Sequence, residues 1–247
     1  MSGIDWHDTA DVVWHDVECG GYREDLPLWR ELAAAAGGPV LDVGAGTGRV
    51  ALDLAGRGHP VVALDREPAL VAALRERAAR AGAPVEAVCA DARDFALGRR
   101  FPLVLMPMQT VQLLGGAGGR AAFLRCARAH MESGGLLAVA LADTLECFDE
   151  EHDQPPLPDM REVDGVVYAS RPVAVRDEGD RVALERIRET VDDRGRHTQE
   201  DDVIRLDRID AAGLAAEAAA FGLRAERPHV IPATEEYIGS TVAMLRG

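Results

Sequence analysis

The sequence predicts an α/β fold, a mostly parallel sheet with helices on both faces. Short apolar segments alternate with helical stretches from about residue 39 to 142. Few polar residues alternate within those segments, and the first runs straight into a glycine-rich turn. Pro39–Val43, Pro60–Asp65, Pro84–Cys89, Phe101–Met106 and Gly135–Ala142 read as strands covered on both faces. Before the first strand, Asp25 is expected to cap a helix with Pro27 in its first turn, Leu28 and Leu32 inward, and Gly37 and Gly38 at its end. After the second strand, Pro68 suits a first helical turn; Leu70, Val71, Leu74 and Ala78 share one face, and Gly82 closes the helix.

Downstream, Glu150–Pro158 carries acids and Pro155, Pro156 and Pro158, the composition of a loop. Residues 162–208 read as two or three antiparallel strands with a turn at Asp192–Gly195. An alanine-rich helix, Asp210–Phe221, stops at Gly222, and strands near 223–230 and 239–245 close the sheet. The expected organisation is one domain over 1–247. It comprises a helical segment 1–38, a core 39–145, a β insert over about 160–208, and a closing part 209–247. There is no internal repeat.

The 247 residues are 47% hydrophobic and 28% charged, enough to bury a sizeable core. Forty-two acids against 27 bases give a net charge of −15, which repels phosphate backbones and argues against nucleic acid as a partner. No apolar run reaches the roughly 18 residues of a membrane span. The start, MSGIDWHDTADVVWHD, has neither the basic nor the apolar region of a signal peptide, so a cytoplasmic protein is expected. All 27 bases are arginine, and lysine and asparagine are absent. Schiff-base chemistry, a phosphate-loop lysine and kinase chemistry are thereby excluded. Cys19, Cys89, Cys126 and Cys147 lack C-x-x-C spacing, and no His–acid cluster has metal-ligand spacing.

The chemistry concentrates in Val40-Leu41-Asp42-Val43-Gly44-Ala45-Gly46-Thr47-Gly48-Arg49. A dinucleotide fingerprint wants G-x-G-x-x-G. Its third glycine position is Arg49 here, and the glycine falls one residue early, at Gly48. Asp65 ends the next strand, where a carboxylate can accept bonds from both ribose hydroxyls. Asp91 would end the third strand on the same edge. Three acids at successive strand ends suit a ligand with a cationic amine, ribose hydroxyls and an adenine amino group, and do not suit a polyphosphate.

These residues resemble the class I S-adenosylmethionine-dependent methyltransferases, over roughly residues 10–145 and more loosely over the closing helix and strands. The resemblance implies a Rossmann-like seven-stranded sheet, six strands parallel and one reversed, with a small antiparallel β insert over the acceptor site. It makes Asp42, Gly44, Ala45 and Gly46 the first cofactor motif, Asp65 the ribose acid with Arg66 beside it, and Asp91 and Ala92 the adenine contacts. Met106 and Pro107 lie where backbone carbonyls meet the methionine end. Met131-Glu-Ser-Gly-Gly-Leu-Leu137 matches the turn before strand five, while Pro102 replaces the family's usual aspartate.

Within the family the layout is similar to small-molecule N- and O-methyltransferases, including those acting on amino sugars and other natural products. An aromatic segment (Trp14, Tyr22, Trp29) precedes the core. Met106-Pro107-Met108-Gln109 stands where nucleobase and glutamine methylators carry an Asn/Asp-Pro-Pro-aromatic tetrapeptide. The implied cofactor is S-adenosylmethionine and the implied partner a small-molecule acceptor, with no metal, nucleic acid or membrane.

Methyl transfer is an in-line displacement at a sulfonium carbon, so alignment and a dry pocket supply much of the rate, up to about 7–11 kcal/mol for well-oriented reactions. An amine need only arrive neutral, whereas a hydroxyl usually needs a base. His152, in the loop after strand five, is the first candidate base. Tyr22 is the candidate to fold over the methyl end. Asp149, Glu150 and Glu151 could instead hold a cationic amine. His229 and Tyr237 are further candidates near the closing strands, and His59 and His130 read as structural. Gly115–Gly119 reads as a mobile lip or a plain loop. Two other readings stay open: a protein that binds the cofactor without turnover, and a macromolecular methyltransferase, which would need a basic groove.

Overall fold

A computed structural model describes residues 6–143, 145–151, 156–235 and 237–247. In chain order the first half comprises α1 (Trp6–Cys19), α2 (Leu26–Ala36), β1 (Val40–Val43), α3 (Arg49–Ala55), β2 (Val61–Asp65), α4 (Pro68–Ala81), β3 (Val85–Cys89), β4 (Phe101–Met106), α5 (Gly116–Ala129) and β5 (Met131–Leu141). The second half comprises β6 (Phe148–Asp149), β7 (Asp159–Val163), β8 (Val166–Asp177), β9 (Arg181–Val191), β10 (His197–Asp207), α6 (Ala211–Ala219), β11 (Arg224–Ala225), β12 (His229–Ile231) and β13 (Ser240–Arg246).

The central sheet has the order β3-β2-β1-β4-β5-β13-β11, with β12 also pairing to β13. β1 to β5 are mutually parallel, and β13 runs antiparallel to β5. β11 and β12 both lie antiparallel on β13, so they share one edge position. Seven positions result, six running one way and one reversed, as expected. The order turns back between β1 and β4, and in open α/β sheets such a switch point opens a crevice at the carboxyl ends of the strands.

Period-two alternation splits the core. Leu41, Val43, Val104, Met106, Leu137 and Val139 face one way, packing with α5 and α6 side chains such as Phe123 and Leu214. Val40, Val61, Ala63, Leu103, Leu105 and Ala138 face the other way, with Trp29, Leu54 and Leu74 from α2, α3 and α4. Asp42 shares the parity of Val40 and so points to the α2–α3 side. On α4 the residues expected inward, Leu70, Val71, Leu74 and Ala78, are the buried ones, and Gly82 closes the helix at φ 59°.

Three local expectations change. Asp25 makes no side-chain cap on α2; its carboxylate is drawn to Arg49, at 2.5 and 2.6 Å. Gly116–Gly119 form the first turn of α5, where the Gly116 N–H donates to Asp207 Oδ2 at 2.5 Å. β5 begins at Met131, which pairs with Phe101 across an irregular register.

The insert is a separate antiparallel sheet, β10-β9-β8-β6 with β7 also on β8, and it begins at Phe148, earlier than the sequence suggested. The turn at Asp192–Gly195 forms as expected, with Gly195 N–H on Asp192 O at 2.9 Å. Among the described residues no helix is long and apolar enough to cross a membrane.

Helix α1 lies between the two sheets and is tied to both. Its Asp16 accepts from Arg77 of α4 at 2.9 and 2.5 Å, from Thr47 Oγ1 at 2.7 Å, and pairs with Arg161 of β7 at 3.3 Å. Its Glu18 accepts from Arg188 of β9 at 2.7 and 2.8 Å and from Ser170 of β8 at 2.8 Å. Trp14 meets Tyr168 edge-on at 5.1 Å and lies under Arg188 at 5.3 Å. Burial alone would raise both carboxyl pKa values, yet the arginine bonds hold both below the usual carboxylate range.

A carboxyl with a lowered folded-state pKa contributes stability that is complete above its unfolded pKa and lost as pH falls through the folded one. Glu18→Gln is therefore expected to cost about 3 kcal/mol at pH 7, a Tm drop of about 6–12 °C. The gap to wild type should shrink toward zero as the pH falls below about 4. Scanning calorimetry across pH checks this, and a gap independent of pH would assign the effect to something other than the ion pair.

Candidate functional site

At the carboxyl ends of β1, β2 and β3, beside the switch point, lies a cavity of about 340 Å³. Its floor is the glycine turn. Gly44 and Ala45 donate their N–H groups to Leu64 O at 2.8 and 3.0 Å, folding the turn over the end of β2. Gly44 and Gly46 take φ of 75° and 56°, the left-handed region that favours glycine. A Cβ on Gly44 would stand 2.4 Å from Thr110 Cγ2, and one on Gly46 2.2 Å from His15 Nε2.

The three strand-end acids all line the cavity, in different states. Asp42 is 0% exposed, and neither carboxylate oxygen has a hydrogen-bond partner among the described residues. Burial pushes its pKa to about 7, with Asp65 and Asp25 adding to the rise. The Arg49 guanidinium pulls the other way, as does the Ala51 N–H, which stops short of hydrogen-bond geometry. Asp65 accepts one backbone N–H on each oxygen, from Gly46 at 2.7 Å and Glu67 at 3.0 Å, and keeps further acceptor capacity on both. Asp91 is held by Arg93 at 2.6 to 3.2 Å through its side chain and at 2.8 Å through its N–H, which brings its pKa to about 2.

Ala45, Arg66, Ala92 and Pro107 also line the cavity. Gly46 does not, because His15 lies over it, and Met106 does not, because its side chain is in the core on the α5 side. The chain leaves β4 through Met108 at φ 55°, an uncommon conformation for a residue with a Cβ, and Met108, Gln109 and Thr110 form one wall.

Of the acceptor-side candidates, His152 lies outside the described residues. Tyr22 is not a lining residue: its ring is taken by Tyr237 edge-on at 5.1 Å and by Arg49 at 5.2 Å, and burial raises its phenol pKa. Tyr237 is thereby placed behind Arg49 as well, and His229 is exposed on β12, away from the cavity. Asp149 and Glu150 are engaged by Arg176 and Arg171 of the insert. His130 is structural as expected, with Nε2 accepting from Leu97 N–H at 3.0 Å and Nδ1 paired to Cys126 O at 2.8 Å.

An insert over the site was expected, but the individual residues of the roof were not. The roof consists of Asp11, Trp14, His15 and Glu18 of α1 with Arg188 and Ile204 of the insert. The α1 set follows i, i+3, i+4, i+7, the spacing of one helix face, and a helical run of polar groups preceding the core was the available signal. His15 has its pKa lowered by burial, against the pull of Asp16, Asp65 and Glu18, with Arg77 adding to the lowering.

Residues 40–135 match the family model described as Methyltransferase domain. No curated protein matches the sequence. Among solved structures, an amino pentose methyltransferase from Micromonospora echinaspora, solved with SAM bound, is 22% identical at TM-score 0.70, covering 100% of this chain and 99% of its own. A sugar N-methyltransferase from Streptoalloteichus is 21% identical at TM-score 0.71, covering 100% and 95%. The CcbJ methyltransferase of Streptomyces caelestis is 23% identical at TM-score 0.67, covering 92% and 97%. Likenesses at 21–23% identity establish the fold.

A carboxyl with a raised folded-state pKa contributes stability that is complete below the unfolded value and lost as pH rises through the folded one. For Asp42 that loss runs from about pH 4 to about 7. Asp42→Asn is expected to raise the Tm of the ligand-free protein by at least about 4 °C at pH 8 and hardly at pH 4. Calorimetry at the two pH values decides; a difference independent of pH would show that Asp42 finds a partner in solution.

Proposed function

We propose that this chain, whose residues 40–135 form a methyltransferase domain, transfers a methyl group from S-adenosylmethionine to a nitrogen of a small-molecule acceptor. The observation that carries the reading is Asp42, a fully buried carboxylate at the cavity wall with both oxygens unpartnered among the described residues. A buried polar group without a partner is costly, and a cationic amine removes that cost. The residues present fit the cofactor. Asp42 would hold its ammonium, Asp65 its ribose hydroxyls, and Asp91 with Ala92 its adenine, while the glycine turn admits close backbone approach.

When bound, the cofactor supplies a methyl group activated on a sulfonium. The chain's own contribution is positioning and exclusion of water. The α1 roof and the Met108–Thr110 wall enclose the crevice, and the ion pairs of Asp16 and Glu18 keep the roof in place. An amine acceptor needs no metal and must only arrive neutral, so the reaction is proposed as metal-independent. Nitrogen is favoured over oxygen by the acidic balance and by the similarity to amino pentose and sugar N-methyltransferases. The class of acceptor this supports is an amine on a small polar natural product, an amino sugar first.

Titration calorimetry with S-adenosylhomocysteine is the direct test. Asp65→Ala removes two charge-assisted bonds of about 1.5–3 kcal/mol each, so binding should weaken at least about a hundredfold. At pH 7 binding should also release protons from Asp42, making the measured enthalpy depend on the buffer's ionisation heat. A wild type that binds nothing, with its fold intact, would end the reading. Methylation of amino sugars with labelled cofactor then separates an enzyme from a protein that only binds.

A further inference from the structure

An amine that attacks a methyl carbon must be neutral, yet alkyl amines are mostly protonated at pH 7. The reading above leaves that proton without a destination. His15 lines the cavity, and its ring lies over Gly46, where an added Cβ would meet Nε2 at 2.2 Å and Cε1 at 2.4 Å. Gly46 follows Asp42 by four residues and donates its N–H to Asp65 at 2.7 Å. In the cofactor, covalent order sets the sulfonium between ammonium and ribose, and His15 covers the stretch of wall between Asp42 and Asp65.

The other ring nitrogen is already in use. Nδ1 stands 3.4 Å from Thr47 Oγ1, and that hydroxyl gives its single proton to Asp16 Oδ1 at 2.7 Å. Thr47 can therefore only accept from the imidazole, which requires the proton on Nδ1. Nε2 then carries the lone pair, and it has no hydrogen-bond partner among the described residues. Asp16 is itself held by Arg77 at 2.9 and 2.5 Å, so the chain from His15 through Thr47 and Asp16 is anchored on α4. Burial holds the ring below the usual histidine pKa, and it waits neutral at pH 7. Asp16 and Glu18 of its own helix and Asp65 of β2 oppose that lowering, and Arg77 of α4 adds to it. The same three acids favour the imidazolium once a proton arrives.

We propose that His15 is a catalytic residue whose Nε2 accepts the proton of the acceptor's ammonium, with Thr47 and Asp16 as positioning residues that hold the ring in the accepting tautomer. The inference rests on the amine-methylation reading and deepens it. The acceptor's N–H bond breaks with its electron pair staying on nitrogen, and the proton forms a bond to Nε2. The freed lone pair is the one that attacks, and His15 afterwards returns its proton to water. A base of this kind contributes about a hundredfold or more.

Two measurements test it. The first is nitrogen-15 NMR of the imidazoles in the ligand-free protein at pH 7, with His15→Gln assigning the signal among the seven histidines. His15 is expected to be neutral and protonated on Nδ1; Thr47→Val should shift it toward the other tautomer, and Thr47→Ser should restore it. The second is the pH profile of kcat/KM with D-glucosamine, 3-amino-3-deoxyglucose and 4-amino-4-deoxyglucose as acceptors. Wild type should be level from about pH 7 to the acceptor amine's own pKa. His15→Gln should be at least about a hundredfold slower at pH 7 and climb about tenfold per pH unit, the gap narrowing toward the amine's pKa. Its affinity for S-adenosylhomocysteine should stay within about twofold of wild type. A His15 that is charged at pH 7 or protonated on Nε2 overturns the proposal, as does a slower variant that keeps the wild-type pH profile. An equal loss of S-adenosylhomocysteine binding also overturns it and makes His15 a cofactor contact. A wild type that binds S-adenosylhomocysteine and methylates none of the three amines overturns the amine reading itself, and this base with it.

Discussion

Two carboxylates two residues apart on α1 hold the molecule's two sheets in register over one crevice. Asp16 reaches the core through Arg77 and Thr47, and Glu18 reaches the insert through Arg188 and Ser170. Consecutive helical positions differ by about 100° around the axis, so residues at i and i+2 face nearly opposite directions. A helix placed between two layers can therefore pin both at once, and His15, next to Asp16, is left pointing at the glycine turn. The cavity exists because this roof is fixed: without it, the ends of β1 to β3 would be an open edge, and the carboxylates there would be solvated and weak.

Fixing the roof makes Asp42 expensive. The same burial that would strengthen its attraction for a cation penalises its charge when no cation is present, which is why its pKa rises, while the Arg93 hydrogen bonds bring that of the less buried Asp91 down. The two acids thus play different parts in one crevice. Asp91 is already satisfied by Arg93 and shapes the rim. Asp42 stores an unfavourable interaction that a cationic ligand would relieve.

The strands, the α4 face, the insert turn and the three strand-end acids were legible because each is written locally. Period-two alternation shows in β1 and β4, helical spacing in Leu70 to Ala78, and a turn residue set in Asp192–Gly195. What escaped depends on partners far away in sequence. Asp25 looks like a helix cap until Arg49, 24 residues on, takes its carboxylate. Tyr22 looks free to cover a ligand until Tyr237 and Arg49 occupy its ring. The roof residues Glu18 and Arg188 are 170 positions apart, and neither has a local motif to announce the pairing.

The absence of lysine acquires a structural meaning here, whatever its origin in coding. Several ties that shape the molecule are two-pronged: Arg30 to Asp53, Arg77 to Asp16, Arg120 to Glu217, Arg188 to Glu18 and Arg246 to Glu226. A lysine in any of these places would supply the charge and not the plane, leaving the partner free to rotate. For Arg77 and Arg188 that rotation would reach the cavity directly, because their carboxylate partners, Asp16 and Glu18, sit one and three residues after the cavity-lining His15 on α1. An acidic chain that draws all its positive charge from arginine is therefore able to orient its ion pairs as well as neutralise them. A methyl transfer that depends chiefly on alignment places its demand on that orientation.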